Sequence, residues 1–301
     1  MINRLKQLRI GEHIREEGPK DYQSKAGTPT MGGVLIIISV LISVVFWSRL
    51  DQPYIYLMIL TTLWFGGLGF LDDYSKLVKQ QSLGLRGWHK IGLQTVGALV
   101  IASYLYKDLT TRTSLILPFF KEVQPNLGIL FIPFATLVIV GASNAVNLTD
   151  GMDGLAIGCT LFVAAAYLNI FHLPVGGEVT TVFCAALVGA GLGFLWYNGH
   201  PAQVFMGDTG SLALGATLGT VAVLIKQEFL LVIVGAIFVV ETLSVIIQVW
   251  SFRTFGKRVF KMSPIHYHFL LSGWKESKVV IRFWIVGLIL VLIALSTLKL
   301  R

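Results

Sequence analysis

Asp72 and Asp73 of FLDDYSK, Asp150 and Asp153 of NLTDGMDG, Asp208 of FMGDTGS, and His266 and His268 of PIHYHF are acid/base and metal-ligating groups in an otherwise mostly apolar chain. Oxygen donors suit a hard divalent cation, Mg²⁺ or Mn²⁺, because Zn²⁺ usually takes nitrogen or sulfur. Mg²⁺ typically uses one or two carboxylates plus waters and phosphate oxygens, so a phosphorylated substrate is expected. Lys25, Lys76 and Lys90 could neutralise its phosphates. The glycines of MGDTGSLALG would let backbone amides approach an anion at a helix start. Asn144, Asn147, Asp150 and Asp153 recur at a spacing of three, which predicts one lined side of a helical turn, with Gly151 and Gly154 admitting a ligand to the backbone.

Each motif also has a plainer reading. Asp72 and Lys76 could form an i,i+4 ion pair worth about 0.2–0.5 kcal/mol. Asp150 or Asp208 could cap the helix that follows, the lysines could be surface charges, and the histidines ordinary interfacial residues. Jointly these readings explain less. An ionised aspartate near hydrocarbon costs roughly 2.5–3.5 kcal/mol unless it sits at an interface, in a wet cavity or beside a cation. A hydrated cleft holding a cation accounts for all of them together. Two near-matches fail: a calcium loop beginning at Asp150 would need glycine where Leu155 stands, and the CDP-alcohol phosphotransferase pattern would not follow Ala156 with Ile157.

The elements that must position these groups are membrane helices. Apolar residues make up 54% of the chain and charged residues 13%, against soluble averages of about 45–50% and about 25%. Nine segments are long and apolar enough to be read as spans: 34–50, 54–71, 91–106, 127–145, 154–173, 179–197, 210–225, 229–252 and 279–298. The alternating ten-residue segments of a β-barrel are missing. The expectation is an all-α polytopic membrane protein, a single transmembrane domain over 1–301, with 1–33 interfacial or cytoplasmic and a second cytoplasmic loop at 253–278. Cys159 and Cys184 both fall inside spans, so no disulfide framework is implied. Residues 1–33 carry six basic groups and no apolar h-region, which argues against a signal peptide. Ile2, Leu5 and Leu8, with basic residues between them, fit a short helix lying on an anionic membrane surface.

With residues 1–33 inside, the inner segments hold 16 lysines and arginines and the outer ones six, the positive-inside pattern. The net charge of +8 therefore calls for no nucleic acid. This topology brings all five aspartates and both histidines to inner-face helix ends or loops. GAGLGF, with Gly189, Gly191 and Gly193, would allow close helix packing, within the fold or across a dimer.

AGTPTMGG (26–33), FLDDYSK (70–76), NAVNLTDGMDGLAIG (144–158), FMGDTGSLALG (205–215) and PIHYHF (264–269), in that order, resemble the phospho-N-acetylmuramoyl-pentapeptide transferase (MraY) family. This family lies in the polyprenyl-phosphate N-acetylhexosamine-1-phosphate transferase superfamily, and the resemblance runs along nearly the whole chain. It implies a multi-pass enzyme of the bacterial inner membrane, active at the cytoplasmic face, in the first membrane step of peptidoglycan synthesis. Such enzymes use Mg²⁺ to move phospho-MurNAc-pentapeptide from UDP-MurNAc-pentapeptide to undecaprenyl phosphate, giving lipid I and UMP. Asp208 would be the main metal ligand, with Asp72 and Asp73 beside it, and Asp72 would deprotonate the lipid phosphate. Lys90 would hold the diphosphate, with Thr30, Lys76 and Asn144 among the substrate contacts, and Asn147 and Asp150 would line the nucleoside and phosphate region. Lys25, Asp153, Asn198 and the Phe205 ring would form a uridine pocket, and His266 and His268 would sit at its mouth. The ninth helix of such enzymes is broken beside a lipid groove. The matching segment is 229–252, where Glu241 and Gln248 interrupt the apolar run and Gln248 would contact substrate. A homodimer is a further implication.

Two departures stand out. Family members usually have ten spans with an outside N-terminus, and this sequence begins where the first has ended. Their last motif usually reads His-His-His, whereas Tyr267 takes the middle place here, and a phenol with pKa near 10 is no neutral-pH base. Phosphoryl transfer is mainly positioning and charge neutralisation, and both direct attack by the lipid phosphate and a covalent aspartyl intermediate are open, the former favoured. Two other readings remain: a sister transferase of GlcNAc-1-phosphate, which GTPTMGG and Pro-Ile-His disfavour, and an ion-coupled transporter. A transporter usually sets its site at the midplane between repeats; no repeat is found, and only Glu241 lies mid-span.

Overall fold

The computed structural model describes residues 25, 27–79, 84–108, 113–118, 124–169 and 176–299. The surface helix expected around Ile2, Leu5 and Leu8 lies outside them. Among the described residues the chain is helical, with isolated bridges of extended backbone such as that joining Ser114 to Asn126. We number the helices α1 (Gly33–Trp47), α2 (Pro53–Lys79), α3 (Gly87–Asp108), α4 (Phe131–Thr149), α5 (Leu155–Leu168), α6 (Gly177–Asn198), α7 (Gly207–Leu224), α8 (Glu228–Val234), α9 (Ala236–Phe255), α10 (Ile265–Leu270) and α11 (Glu276–Lys299). Within the described residues each of the nine apolar segments lies mainly on helix, 229–252 on two of them. Among the described residues five stretches are long and apolar enough to cross a membrane, α2, Gly128–Thr149 containing α4, α6, α9 and α11 up to Thr297, and α1 and α5 are shorter apolar helices. This is an all-α, multi-pass membrane protein.

α7 meets protein on every side: each residue from Thr209 to Leu224 is buried. It packs along α2 and α4, and small residues make the approach possible. A Cβ on Gly215 would lie 2.4 Å from the Ala142 carbonyl oxygen, and one on Gly33 would lie 2.1 Å from the Gly210 nitrogen. Two threonines of α7 donate to their own helix, Thr217 to Ala213 and Thr220 to Ala216, each at 2.9 Å, so their burial leaves no orphan hydroxyl. Outer faces carry exposed apolar side chains, among them Ile246, Leu288 and Leu292, as lipid-facing helices require. Trp47, Trp88 and Trp196, near helix ends, are exposed as well, where aromatic rings favour the membrane interface.

The 229–252 segment is broken, as the resemblance implies, and the break falls at Gly235 between α8 and α9; Glu241 and Gln248, which interrupt its apolar run, lie within unbroken α9. A side chain at 235 would bring its Cβ to 2.7 Å from the Leu231 carbonyl oxygen. In GAGLGF only Gly191 meets a neighbour, its Cβ position 2.6 Å from a Leu161 methyl carbon; those of Gly189 and Gly193 have nothing within 4 Å among the described residues. Within the fold, close helix packing is carried by Gly191 and by the glycines around α7.

Candidate active site

The last turns of α2 and α4, the first turns of α3 and α7, and residues 84–85 converge on one group of charges. Asp72, Asp73 and Asp208 each offer a carboxylate oxygen within 4.8 Å of the others. Lys76 lies 2.7 Å from Asp72, 3.2 Å from Asp208 and 3.7 Å from Asp73. Lys90, from the first turn of α3, donates to Asp208 and stands 3.9 Å from Asp72. Asn147 donates to Asp208 and to Ser211 at 2.9 and 2.8 Å, and the Leu85 amide donates to Asp72 at 2.8 Å. The simple Asp72–Lys76 pair is therefore part of a five-charge cluster, three acidic and two basic.

Within this cluster the aspartates differ. Asp73 accepts from the Asp208 and Thr209 amides at 3.1 and 2.9 Å and from the Thr209 hydroxyl at 2.7 Å. The anion at the start of α7 is thus a side chain of the protein, a correction to the expectation that these amides face a ligand. Asp73, from another helix, is the capping residue at the start of α7, where Asp208 was considered; Asp150 caps the C-terminus of the helix before it and not the helix that follows. Gly207, at φ +74°, makes this possible: its own Cβ position is 2.6 Å from an Asp73 oxygen and 3.1 Å from the Thr30 hydroxyl, which also sets Thr30 beside the cluster. The oxygen-only donor set and the excess of one negative charge fit a hard divalent cation, with Asp72 and Asp208 the carboxylates less committed to backbone.

The spacing-of-three ladder does not hold as one face. Asn144 donates to Gln94 at 2.7 Å and Asn147 turns to Asp208. The helix ends at Thr149 with Asp150 as its C-terminal cap, and the turn through Gly154, φ +77°, swings Asp153 away. Asp153 enters a second network: its carboxylate lies 2.6 Å from Lys25 and 3.0 Å from both His200 Nδ1 and the Ala202 amide. Glu276, in the first turn of α11, accepts from Lys25 at 2.6 Å and from the Asp153 amide at 2.8 Å. Asp153, His200 and Glu276 are also close enough to share a cation, but the Lys25 ammonium already stands between the two carboxylates. Asn198 accepts from the Gly154 amide at 3.1 Å and donates to the Val204 carbonyl at 2.9 Å. The Phe205 amide donates to Pro29 at 2.7 Å, and its carbonyl accepts from Gly32 at 2.8 Å. Lys25, Asp153 and Asn198 are thus gathered at one loop junction, and the segment before α1 is stitched to the one before α7.

Comparison with known families bears directly on these two networks. Residues 55–226, more than half of the chain, match the glycosyl transferase family 4 model, and residues 25–37 match phospho-N-acetylmuramoyl-pentapeptide-transferase signature 1. The chain belongs to glycosyl transferase family 4, as an MraY-type polyprenyl-phosphate hexosamine-1-phosphate transferase. It is a phospho-MurNAc-pentapeptide transferase. The family match covers Asp72, Asp73, Lys76, Lys90, Asn147, Asp150, Asp153 and Asp208; the signature covers Lys25 and Thr30.

Other residues implied by the resemblance lie apart from these networks. In this transferase Gln248 donates to the Phe260 carbonyl at 2.9 Å and accepts from the Val259 and Phe260 amides at 3.0 and 2.9 Å, so its amide is committed to backbone. His268 accepts from the Lys261 amide at 3.2 Å and packs edge-on against Phe260. His266 is wholly buried, 3.1 Å from Glu241, and Tyr267 donates to the Gly151 carbonyl at 3.3 Å. The sequence reading missed His200, Glu276 and Ser211. Helical spacing offered a signal only for Ser211, which lies one turn after Gly207 and donates to its carbonyl at 2.9 Å.

Proposed function

We propose that this transferase moves phospho-MurNAc-pentapeptide from UDP-MurNAc-pentapeptide to undecaprenyl phosphate, releasing UMP and forming lipid I, at the cytoplasmic face of a bacterial inner membrane. The observation that carries this reading is the cluster of Asp72, Asp73 and Asp208 within 4.8 Å, interleaved with Lys76 and Lys90, at the helix ends. Asp208 and Asp72 would hold Mg²⁺, and Asp73 would fix the start of α7 on which Asp208 stands. The metal, when bound, supplies charge neutralisation for the diphosphate. Lys76 and Lys90 bind phosphate oxygens and stabilise the charge that builds on them during transfer. Asp72 takes the remaining proton of the lipid phosphate. The second ionisation of a phosphate monoester lies near 6 and needs little help from a carboxylate base, which favours direct attack over a covalent aspartyl route. Lys25, Asp153, Asn198 and Phe205, with Asp150 and Asn147 nearer the metal, would receive the nucleotide. The topology supports this, since a water-soluble donor and a lipid acceptor can meet only at the interface.

The test is UMP release by the purified protein with Mg²⁺ and undecaprenyl phosphate, comparing UDP-MurNAc-pentapeptide with UDP-GlcNAc. Release from the muramoyl donor alone is expected. Release only from UDP-GlcNAc would move the protein to the sister specificity, and release from neither would overturn the proposal.

A further inference from the structure

One face of α9 is polar although the helix lies among membrane spans. Glu241, Ser244, Gln248 and Ser251, at helical spacing, are all buried, while Val240, Leu243, Ile246 and Ile247 between them are exposed and apolar. Three of the four fasten the segment that follows the helix. Ser251 donates to the Lys257 carbonyl at 2.9 Å, Gln248 holds the backbone of 259 and 260, and Glu241 faces His266 at 3.1 Å. The last contact is the deepest. Both side chains are fully buried, and among the described residues neither has another partner for its polar atoms. A carboxylate and an imidazole buried separately would each carry a large desolvation cost, and only their juxtaposition offsets it.

The opposite edge of the imidazole meets the loop that carries Asp150 and Asp153. A Cβ on Gly151 would lie 2.4 Å from His266 Nε2 and 3.0 Å from the Tyr267 hydroxyl oxygen, and Tyr267 donates to the Gly151 carbonyl. The rings of His266 and Tyr267 lie 4.2 Å apart, so the two act as one block. A continuous chain of contacts therefore runs from Glu241 on α9, through His266, to the backbone between the two aspartates.

We propose that Glu241 is a positioning residue of the transfer reaction: it seats His266 beneath Gly151 and so sets the 150–154 loop for the nucleotide donor. His266 then acts from beneath the loop and makes no contact with substrate. This rests on reading that loop as part of the donor site.

The test uses the full chain in detergent or nanodiscs, with KM measured separately for UDP-MurNAc-pentapeptide and undecaprenyl phosphate. Glu241→Leu should raise the donor KM at least tenfold and leave the acceptor KM within twofold. Glu241→Gln, which keeps an oxygen facing Nδ1, should recover the donor KM to within threefold of wild type. Amide hydrogen exchange over 151–154 should quicken at least tenfold in the leucine variant and not in the glutamine variant. A wild-type donor KM and exchange rate in Glu241→Leu would overturn the proposal, as would equal rises in both KM values without rescue by glutamine. If Glu241→Leu does not fold, Gly151→Ala attacks the same contact from the loop side. The same donor-selective rise is expected, and an unchanged donor KM would overturn the proposal. Were the wild-type protein to release no UMP, the donor reading would fall, while the exchange measurement would still decide whether Glu241 sets the loop.

Discussion

Replacing Asp208 with asparagine should separate catalysis from folding. The carboxylate faces two ammonium groups, Lys76 at 3.2 Å and Lys90 in a hydrogen bond, and two carboxylates whose oxygens lie within 4.8 Å. A unit-charge pair near 4 Å is worth about 4 kcal/mol at an effective permittivity of about 20. The two ammonium groups stand closer than the two carboxylates, so the attractions outweigh the repulsions, but asparagine keeps an oxygen to accept from Asn147 and leaves both ammonium groups beside Asp72 and Asp73. Stability should therefore fall by only about 1–2 kcal/mol. Turnover should behave differently, because under the proposed function this carboxylate would hold the metal that neutralises the diphosphate. Losing one such preorganised group typically lowers kcat by about 10²–10³-fold, roughly 2.7–4 kcal/mol of barrier. The assay is UMP release across a Mg²⁺ titration, paired with thermal unfolding of the same preparation. Wild-type turnover would remove Asp208 from the metal site, and a stability loss of several kcal/mol with proportionate inactivation would mean that its charge holds the helix ends together.

Asp73→Ala should show the reverse order of effects: it strips the cap from two amides and a hydroxyl at the start of α7 and should lower unfolding stability by about 1–3 kcal/mol, and unchanged unfolding would refute the capping role. Asp153→Ala should weaken uridine-nucleotide binding more than lipid binding in separate titrations, because it releases Lys25, His200 and the Ala202 amide together; equal losses would count against a nucleotide pocket there. Tyr267→His should alter turnover by less than about tenfold, roughly 1.4 kcal/mol, since the hydroxyl makes a 3.3 Å bond to a backbone carbonyl, and a larger gain would make the tyrosine a true impairment.

Much of this molecule was legible because span length and the lysine and arginine bias are additive properties of short windows. Grouping Asp72, Asp73 and Asp208 followed from the topology they imply, since alternate crossings return those helix ends to one side. What the windows could not carry was pairing between distant segments. Glu276 reads locally as one more acidic residue before an apolar run; only the fold brings it 2.6 Å from Lys25, 251 residues away. The ladder from Asn144 to Asp153 assumed that the helix continues, and the turn at Asp150 and the positive φ of Gly154 end that periodicity. Glu241 was visible as a mid-span charge and Gln248 as a polar break, yet the break belongs to Gly235, because the two polar side chains find partners and leave the helix intact.

The placement of Asp208 shows why such a cluster can stand ready before a cation arrives. Carboxylates 4.8 Å apart or less repel one another, and flexible supports would let them separate. Here the supports are backbone packed on backbone. A Cβ on Gly69, one turn before Asp73, would lie 2.2 Å from the Asp208 carbonyl oxygen, and one on Gly33 would lie 2.1 Å from the Gly210 nitrogen. α2 and α1 therefore clamp the first turn of α7 at distances that no side chain larger than hydrogen allows, while Asp73 secures the amides of that turn. Backbone movement therefore cannot relieve the repulsion by carrying Asp208 away from Asp72, and the repulsion is met by Lys76 and Lys90 where it arises. Preorganisation of this kind is what electrostatic catalysis requires, because donors and charges already in position need no reorganisation at the moment of transfer.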